Sequence, residues 1–508
     1  MKKINFYILM FFISNVQLVT CQEHLKLPSI GQGEYNVGFK SLWAFDKERN
    51  YSLQIDSLNT IECEKRPILV NIWYPTMEKN KSKMTYGDYL KIQGDSSCLS
   101  DISIKLIDYN REVLSREFFG KLYSKLEQTE RDLYDDILNA KTTSILNAEK
   151  ANGKYPLIIY HSGAASSYTD NFLMLEYLAS NGFIVLGSAF QKGDGSTLNI
   201  DSDVDSFKDI DFLIDYAIST GLVDVNNITL LGHSAGAQAI MKYQSTGNSK
   251  AKNLILLDTT QDNHSLGLNY LWPFTTNVLD NQALFNNNIL VFAEPTASFQ
   301  LIEKLDKAKR TYVTVADLEH NEFISEGLIK RTLNLSSDNS KEYENVKNKY
   351  QKVCEIILNY LKPEFYLNKK ELNGYDILIE ESGKNVMANL KDIDDFDKPP
   401  SPRVFVHFYK QYGISKTTKL FNKFKNTHKE APIYNSNFAF AWLYDNLTKE
   451  HIDIAKEIFF NYSEIGKSKS IIKAFENWCW IGKVSGKKEF ETECNSRLKF
   501  LEGLNPKR

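Results

Sequence analysis

Short runs of apolar residues recur through the middle of the chain, and between them apolar positions fall three and four residues apart. The runs are Pro156–Tyr160 (PLIIY), Phe183–Leu186 (FIVL), Ile228–Leu231 (ITLL), Asn253–Leu257 (NLILL), Ile289–Phe292 (ILVF) and Tyr312–Val315 (YVTV). Each is too short for a helix and apolar on both faces, which predicts a strand buried on both sides. Asn171–Ser180, Ser206–Ser219 and Ala235–Tyr243 alternate with them at helical spacing, and Tyr343–Leu361 closes the series before Lys362-Pro363. Strand and helix in alternation predict an α/β class: a mostly parallel sheet covered by helices on both faces.

The flanks differ. Residues 35–75 carry further strand-like stretches, ending in Pro67–Pro75, an apolar run bracketed by prolines. Residues 85–150 read as charged helices, for example over Asp101–Leu138, where apolar positions recur at helical spacing. Asp392–Pro402 (DIDDFDKPPSP) has the acidic, proline-rich composition of a linker. Beyond Arg403 the period is helical again, including Phe438–Tyr444 and Ile452–Tyr462. The expected organisation is an α/β unit over 22–366, with 76–150 as a helical insertion and lid, then a linker over 367–402 and an all-helical region over 403–508. The paired helices of that last region resemble degenerate tetratricopeptide repeats, and a plain helical appendage packed on the catalytic unit fits equally.

At the start, Lys2 and Lys3 precede the apolar stretch Ile4–Val19 and the pair Thr20-Cys21, the form of a secretory signal over residues 1–21. Cleavage after Cys21 would release a secreted or periplasmic protein. Leu18-Val19-Thr20-Cys21 also resembles a lipobox, which would anchor the chain through a lipid on Cys21. No other segment reaches spanning length. Five cysteines remain, so one thiol at least stays unpaired; Cys479 and Cys494 are spaced for a local disulfide or are two buried thiols. The 508 residues are 42% hydrophobic and 25% charged, enough to bury a large core. A net charge of −3, with basic residues scattered among acidic ones, excludes nucleic acid as the expected partner.

Chemistry concentrates at Gly232-His233-Ser234-Ala235-Gly236, between a strand and a helix. G-x-S-x-G at such a turn is a nucleophile elbow, which lifts Ser234 Oγ clear of the sheet and aims the Ala235 N–H at a developing oxyanion. A serine hydroxyl needs a base. Of eight histidines, four lie near the export signal or beyond the linker, and His161, His233 and His264 sit in or beside other motifs. That leaves His320, in a loop after the strand Tyr312–Val315. Two acids are placed to orient it: Asp258 at the end of Asn253–Leu257, and Glu294 past the next strand. The small-residue loop His161-Ser162-Gly163-Ala164-Ala165 follows an earlier strand and offers Ala164 as the second oxyanion donor. No metal or cofactor motif is present.

Tyr155–Phe190, the GHSAGA elbow, the Leu256-Leu257-Asp258 strand end and the His320–Phe323 loop resemble the platelet-activating-factor acetylhydrolase and dienelactone-hydrolase-like branch of α/β-hydrolases over residues 35–363. The resemblance implies a Ser234–His320–Asp258 triad. It also implies hydrolysis of a small-molecule or lipid-like ester through an acyl-enzyme, without cofactor. The loop HSGAA departs from the S-H-G-x-G of that branch. A serine peptidase, and an exported scaffold whose helical tail binds a partner, are the rival expectations.

Overall fold

The computed structural model describes residues 25–54, 60–92, 94, 97–190, 204–259, 273–334, 339–362, 377–381, 392–435, 438, 442, 472–473, 475–476, 479, 483 and 488–503. The expected signal segment 1–21 and the helix Ile452–Tyr462 lie outside these residues.

Among the described residues, twelve strands run β1 (Asn36–Asp46), β2 (Tyr51–Gln54), β3 (Thr60–Cys63), β4 (Arg66–Thr76), β5 (Ser144–Leu146), β6 (Tyr155–His161), β7 (Ile184–Gly187), β8 (Val223–His233), β9 (Asn253–Leu257), β10 (Asn288–Ala293), β11 (Lys309–Val315) and β12 (Ile377–Glu381). Ten of them form one sheet in the order β12-β11-β10-β9-β8-β6-β7-β4-β1-β5, with β2 and β3 paired as a separate hairpin. β6 to β11 are mutually parallel, and β4 runs antiparallel between β1 and β7. Setting aside the edge strands β5 and β12, this is the strand order of the α/β-hydrolase fold.

Alternation along each strand explains why the runs are apolar throughout. Ile158, Tyr160, Leu231, Ile255 and Phe292 face one core, with Phe172, Leu175 and Leu178 of α1 (Phe172–Ser180) and Tyr350, Val353 and Ile357 of α2 (Ser340–Leu361). Leu157, Ile159, Leu230, Leu254 and Val291 face the other, with Ile210, Leu213 and Ile214 of the helix Val204–Ser219 and Ile240 and Met241 of the helix Ala235–Gln244. Two faces, each removed from water, favour apolar side chains through the middle of these strands, and polar ones concentrate toward their ends.

Two features of the flanks add to the expectation. The helices expected over Asp101–Leu138 are two, Ser97–Phe119 and Gln128–Asn139. Gly120 ends the first at φ 68°, its N–H bonded to the Arg116 carbonyl, a left-handed stop that apolar periodicity alone does not register. The segment read as a linker also contributes β12, because Ile377 and Ile379 continue the core beside β11.

The segment 76–150 is tied down at several points. The Tyr89 hydroxyl donates to Glu176 at 2.6 Å, β5 joins the sheet, and Cys63–Cys98 bridges β3 to the helix Ser97–Phe119 with Cα atoms 6.0 Å apart. A second disulfide joins Cys479 and Cys494, and Cys354 is a buried free thiol. Disulfides form and persist in oxidising compartments such as the periplasm or the cell exterior. No helix among the described residues is long and apolar enough to cross a membrane.

After the sheet, Pro402–Phe424 is a helix kinked at Gly413, and it builds a third core with Phe405, Phe408, Phe421, Phe438 and Trp442. Arg403 docks it on the sheet edge, 2.6 Å from Glu303, 3.5 Å from Glu380 of β12 and with its guanidinium carbon 4.3 Å above the Tyr312 ring.

Candidate active site

Among the described residues, seven other than glycine have positive φ, and six of them follow the carboxyl ends of the six parallel strands. Ala165 follows β6, Phe190 β7, Ser234 β8, Asp258 β9, Phe299 β10 and Asp317 β11. Left-handed backbone costs an L-residue roughly 1–2 kcal/mol. One edge of the sheet therefore carries the strain, and such strain persists only where surrounding packing over-determines it.

At the elbow, Ser234 caps the helix Ala235–Gln244 with φ 51° and ψ −117°, and its N–H donates to the Leu257 carbonyl at 2.9 Å. Both glycines are sterically required. A Cβ on Gly232 would lie 2.5 Å from the Gly236 carbonyl carbon, and one on Gly236 would lie 2.2 Å from the His161 carbonyl oxygen. The second contact fixes how closely the elbow helix approaches the β6 loop. Ala235 is the first helical residue, so its N–H has no partner within the helix.

Asp258 is 3% exposed and its φ is 41°; its N–H donates to the Phe292 carbonyl at 2.8 Å, which fixes the carboxyl at the strand end. His320 Nδ1 donates to Asp258 Oδ2 at 2.7 Å. Glu294, the alternative acid, accepts from Thr296 at 2.8 Å, so of the two candidates it is Asp258 that meets the imidazole. His320 opens a 3-10 turn, His320–Phe323, closed by a reciprocal cap between Glu319 and Glu322. Arg331 grips Glu322 and, at 2.6 Å, Glu342. The buried Lys349 ammonium donates to the Ala316 carbonyl at 2.8 Å and Asp317 at 2.9 Å, just before the turn.

His233 was set aside as part of the elbow, yet it touches the base. Its Nε2 donates to the His320 carbonyl at 3.0 Å, with the two rings 4.8 Å apart. Burial, then the neighbouring His320, hold its pKa down to about 3, so it stays neutral and serves as a fixed donor.

The β6 loop lies beside the elbow: a Cβ on Gly163 would stand 3.5 Å from Ser234 Cβ. The His161 ring stacks on Phe190 with centroids 3.8 Å apart and bonds Ser162 and Ser206, and burial lowers its pKa to about 4. The Gly163 N–H turns inward toward Asp170 Oδ2 at 3.5 Å, while Ala164 is exposed at the crest of the loop. Asp170 is fully buried and accepts from the Tyr160 hydroxyl at 2.5 Å. Burial, which outweighs its hydrogen bonds, raises its pKa to about 7. The buried Glu326, hydrogen-bonded to Tyr86 at 3.2 Å, is likewise pushed up by burial and then by Asp170. Asn171 next to it accepts from Tyr350 at 2.6 Å and donates to the Phe323 carbonyl at 3.3 Å, tying the β6 loop to the His320 turn.

Sequence reasoning missed Asp170, Asn171 and Lys349. Asp170-Asn171 reads as a helix cap. Lys349, three residues from Val346 and four from Val353 on the buried stripe of α2, was the available signal. A cavity of about 610 Å³ opens beside His320, lined by Glu117, Asn321, Lys330, Arg331 and Tyr343 among others. Glu117, from the insertion, accepts both hydrogen bonds of the Asn321 amide at 3.2 Å.

No protein-family model matches the chain, and no curated protein matches it. Among solved structures it is similar to a ferulic acid esterase from Streptomyces cinnamoneus, at 13% identity and a TM-score of 0.44, over 70% of this chain and 99% of that one. It is also similar to a puromycin-hydrolyzing peptidase of Mycobacterium tuberculosis, at 12% identity and a TM-score of 0.34, over 63% of this chain and 40% of that one. At these values the α/β-hydrolase fold rests on the chain's own strand order and elbow.

Proposed function

We propose that the protein is an exported serine hydrolase that cleaves a carboxylic ester through an acyl-enzyme on Ser234. The observation that carries this reading is the 2.7 Å contact between His320 Nδ1 and the buried Asp258, set on the same strained sheet edge as Ser234. Asp258 fixes the imidazole tautomer, leaving Nε2 to take the Ser234 proton as Oγ attacks the carbonyl carbon. The N–H groups of Ala235 and Ala164 receive the oxyanion. The imidazolium then protonates the leaving alcohol, and water repeats the sequence on the acyl-enzyme to release the acid.

Placement of the acid at the end of the strand after the elbow supports a platelet-activating-factor-acetylhydrolase-like or dienelactone-hydrolase-like type. The charged and amide side chains around the cavity beside His320 support a polar group, rather than a long alkyl chain, on that side of the ester. The two disulfides support export, through the signal segment 1–21 or a lipid on Cys21. A fluorophosphonate probe with mass mapping tests the mechanism. Labelling is expected on Ser234 and is expected to disappear in His320→Ala. Folded protein that takes no label, with no turnover of simple esters, would sink this reading and favour a binding scaffold.

A further inference from the structure

A second cavity lies on the other core face, toward the amino ends of the parallel strands. It has a volume of about 240 Å³ and is walled by Ile72, Tyr74, Ile184, Leu186, Ala217 and Val223. Val223 opens the eleven-residue strand β8, whose far end leads into Ser234. None of this cavity's lining residues lines the cavity beside His320 or belongs to the elbow. It is therefore no part of the site described above.

Two lysines stand at its mouth, Lys40 from β1 and Lys150 from the segment before β6. Neither has a hydrogen bond or ion pair among the described residues. No acidic residue lines the cavity, and Glu78, which receives the N–H of Glu149 beside Lys150 at 2.9 Å, is paired with Lys81 at 2.9 Å. Partial burial and then the charge of Lys40 hold the Lys150 ammonium below the ordinary lysine range. Two cations brought together over apolar walls, with no anion paired to them among the described residues, are an unfavourable arrangement that a bound anion would relieve. We propose that this cavity binds a small amphiphilic monocarboxylate, its acid group between Lys40 and Lys150 and its apolar body against Ile72, Ile184 and Leu186.

Volume bounds the body. A six-carbon ring occupies a cavity of about 150 Å³, so 240 Å³ suits a chain of roughly eight to ten carbons. Octanoate is the appropriate probe, and octan-1-ol, with the same body and no charge, is its control. Calorimetric titration of the full chain should find one octanoate bound, with affinity at least tenfold weaker in the double variant Lys40→Gln/Lys150→Gln and in Lys150→Glu. Octan-1-ol should lose a similar factor against the wild type. The lysines are exposed, so the thermal midpoint of the free variants should match the wild type within about a degree. Absence of octanoate binding by the wild type, as when another part of the chain fills the cavity, overturns the proposal. So does equal binding by wild type and variants, which would place octanoate elsewhere.

Discussion

Asp258 holds the side chain most exposed to a direct test. Its Oδ2 fixes His320 Nδ1 at 2.7 Å, and its backbone is anchored to Phe292 independently of the carboxyl. Asp258→Asn keeps the shape and the anchor but offers an amide where the imidazole needs an acceptor. We expect kcat on a chromogenic ester to fall about 10³–10⁴-fold while KM and the thermal midpoint change little. A variant within tenfold of wild type would mean that Asp258 does not orient the base. Gly236 illustrates the opposite dependence, on space rather than charge, because a Cβ there would stand 2.2 Å from the His161 carbonyl oxygen, where backbone cannot yield cheaply.

Among the elements, the His320 turn is short and is held from outside. Lys349 reaches from α2 to the Ala316 carbonyl and Asp317, the residue at φ 53° that turns the chain toward His320. Lys349→Met keeps the aliphatic body and removes both donations. Leaving the Ala316 carbonyl unsatisfied should cost about 1–3 kcal/mol in chemical denaturation, and kcat should fall about tenfold as the imidazole loses its fixed place.

The β6 loop is held by Asp170, whose pKa of about 7 lies above the ordinary 3.8. A raised carboxyl pKa means the folded state binds the proton more tightly than the unfolded chain. Its contribution to stability is complete below about pH 4 and is lost as pH rises through about 7. Asp170→Asn should therefore flatten the pH dependence of the thermal midpoint between these limits, and an unchanged slope would place the titration elsewhere.

For the molecule as a whole, the contact between the sheet and the C-terminal helices is ionic at its centre. Burial opposes it, but His407 and Arg403 hold the Glu303 carboxyl well below the usual range, and Arg403 also faces Glu380. Removing one partner of a buried pair leaves the other charge uncompensated. Arg403→Met should destabilise the docked helix by about 3–5 kcal/mol. Limited proteolysis should then cut between 382 and 402 well before the sheet unfolds, with ester turnover retained. A digestion pattern identical to wild type would show that apolar packing suffices to hold the helix.

Sequence alone determined the parallel sheet, its two helical layers and the elbow, because each follows from local patterning. A strand buried on both faces must be apolar throughout, and an elbow must flank its serine with residues lacking Cβ. His320 was reachable by elimination among eight histidines, and both candidate acids could be placed at strand ends. Between Asp258 and Glu294 local pattern did not choose; the family resemblance implied Asp258, and the 2.7 Å contact with the imidazole is a distance that no local pattern encodes. The same holds for His233, Asp170 and Lys349, whose partners lie 87, 7 and 32 residues away and are met only once the sheet edge has closed. Strand β12 escaped notice because a short edge strand carries too few apolar residues to stand out from a linker. Apart from Ser234 in the elbow, the strained corners after the parallel strands were likewise invisible, since Ala165, Phe190, Asp258, Phe299 and Asp317 have no one residue type in common. Only the packing around each corner forces it into the left-handed region, and that packing is a property of the assembled fold.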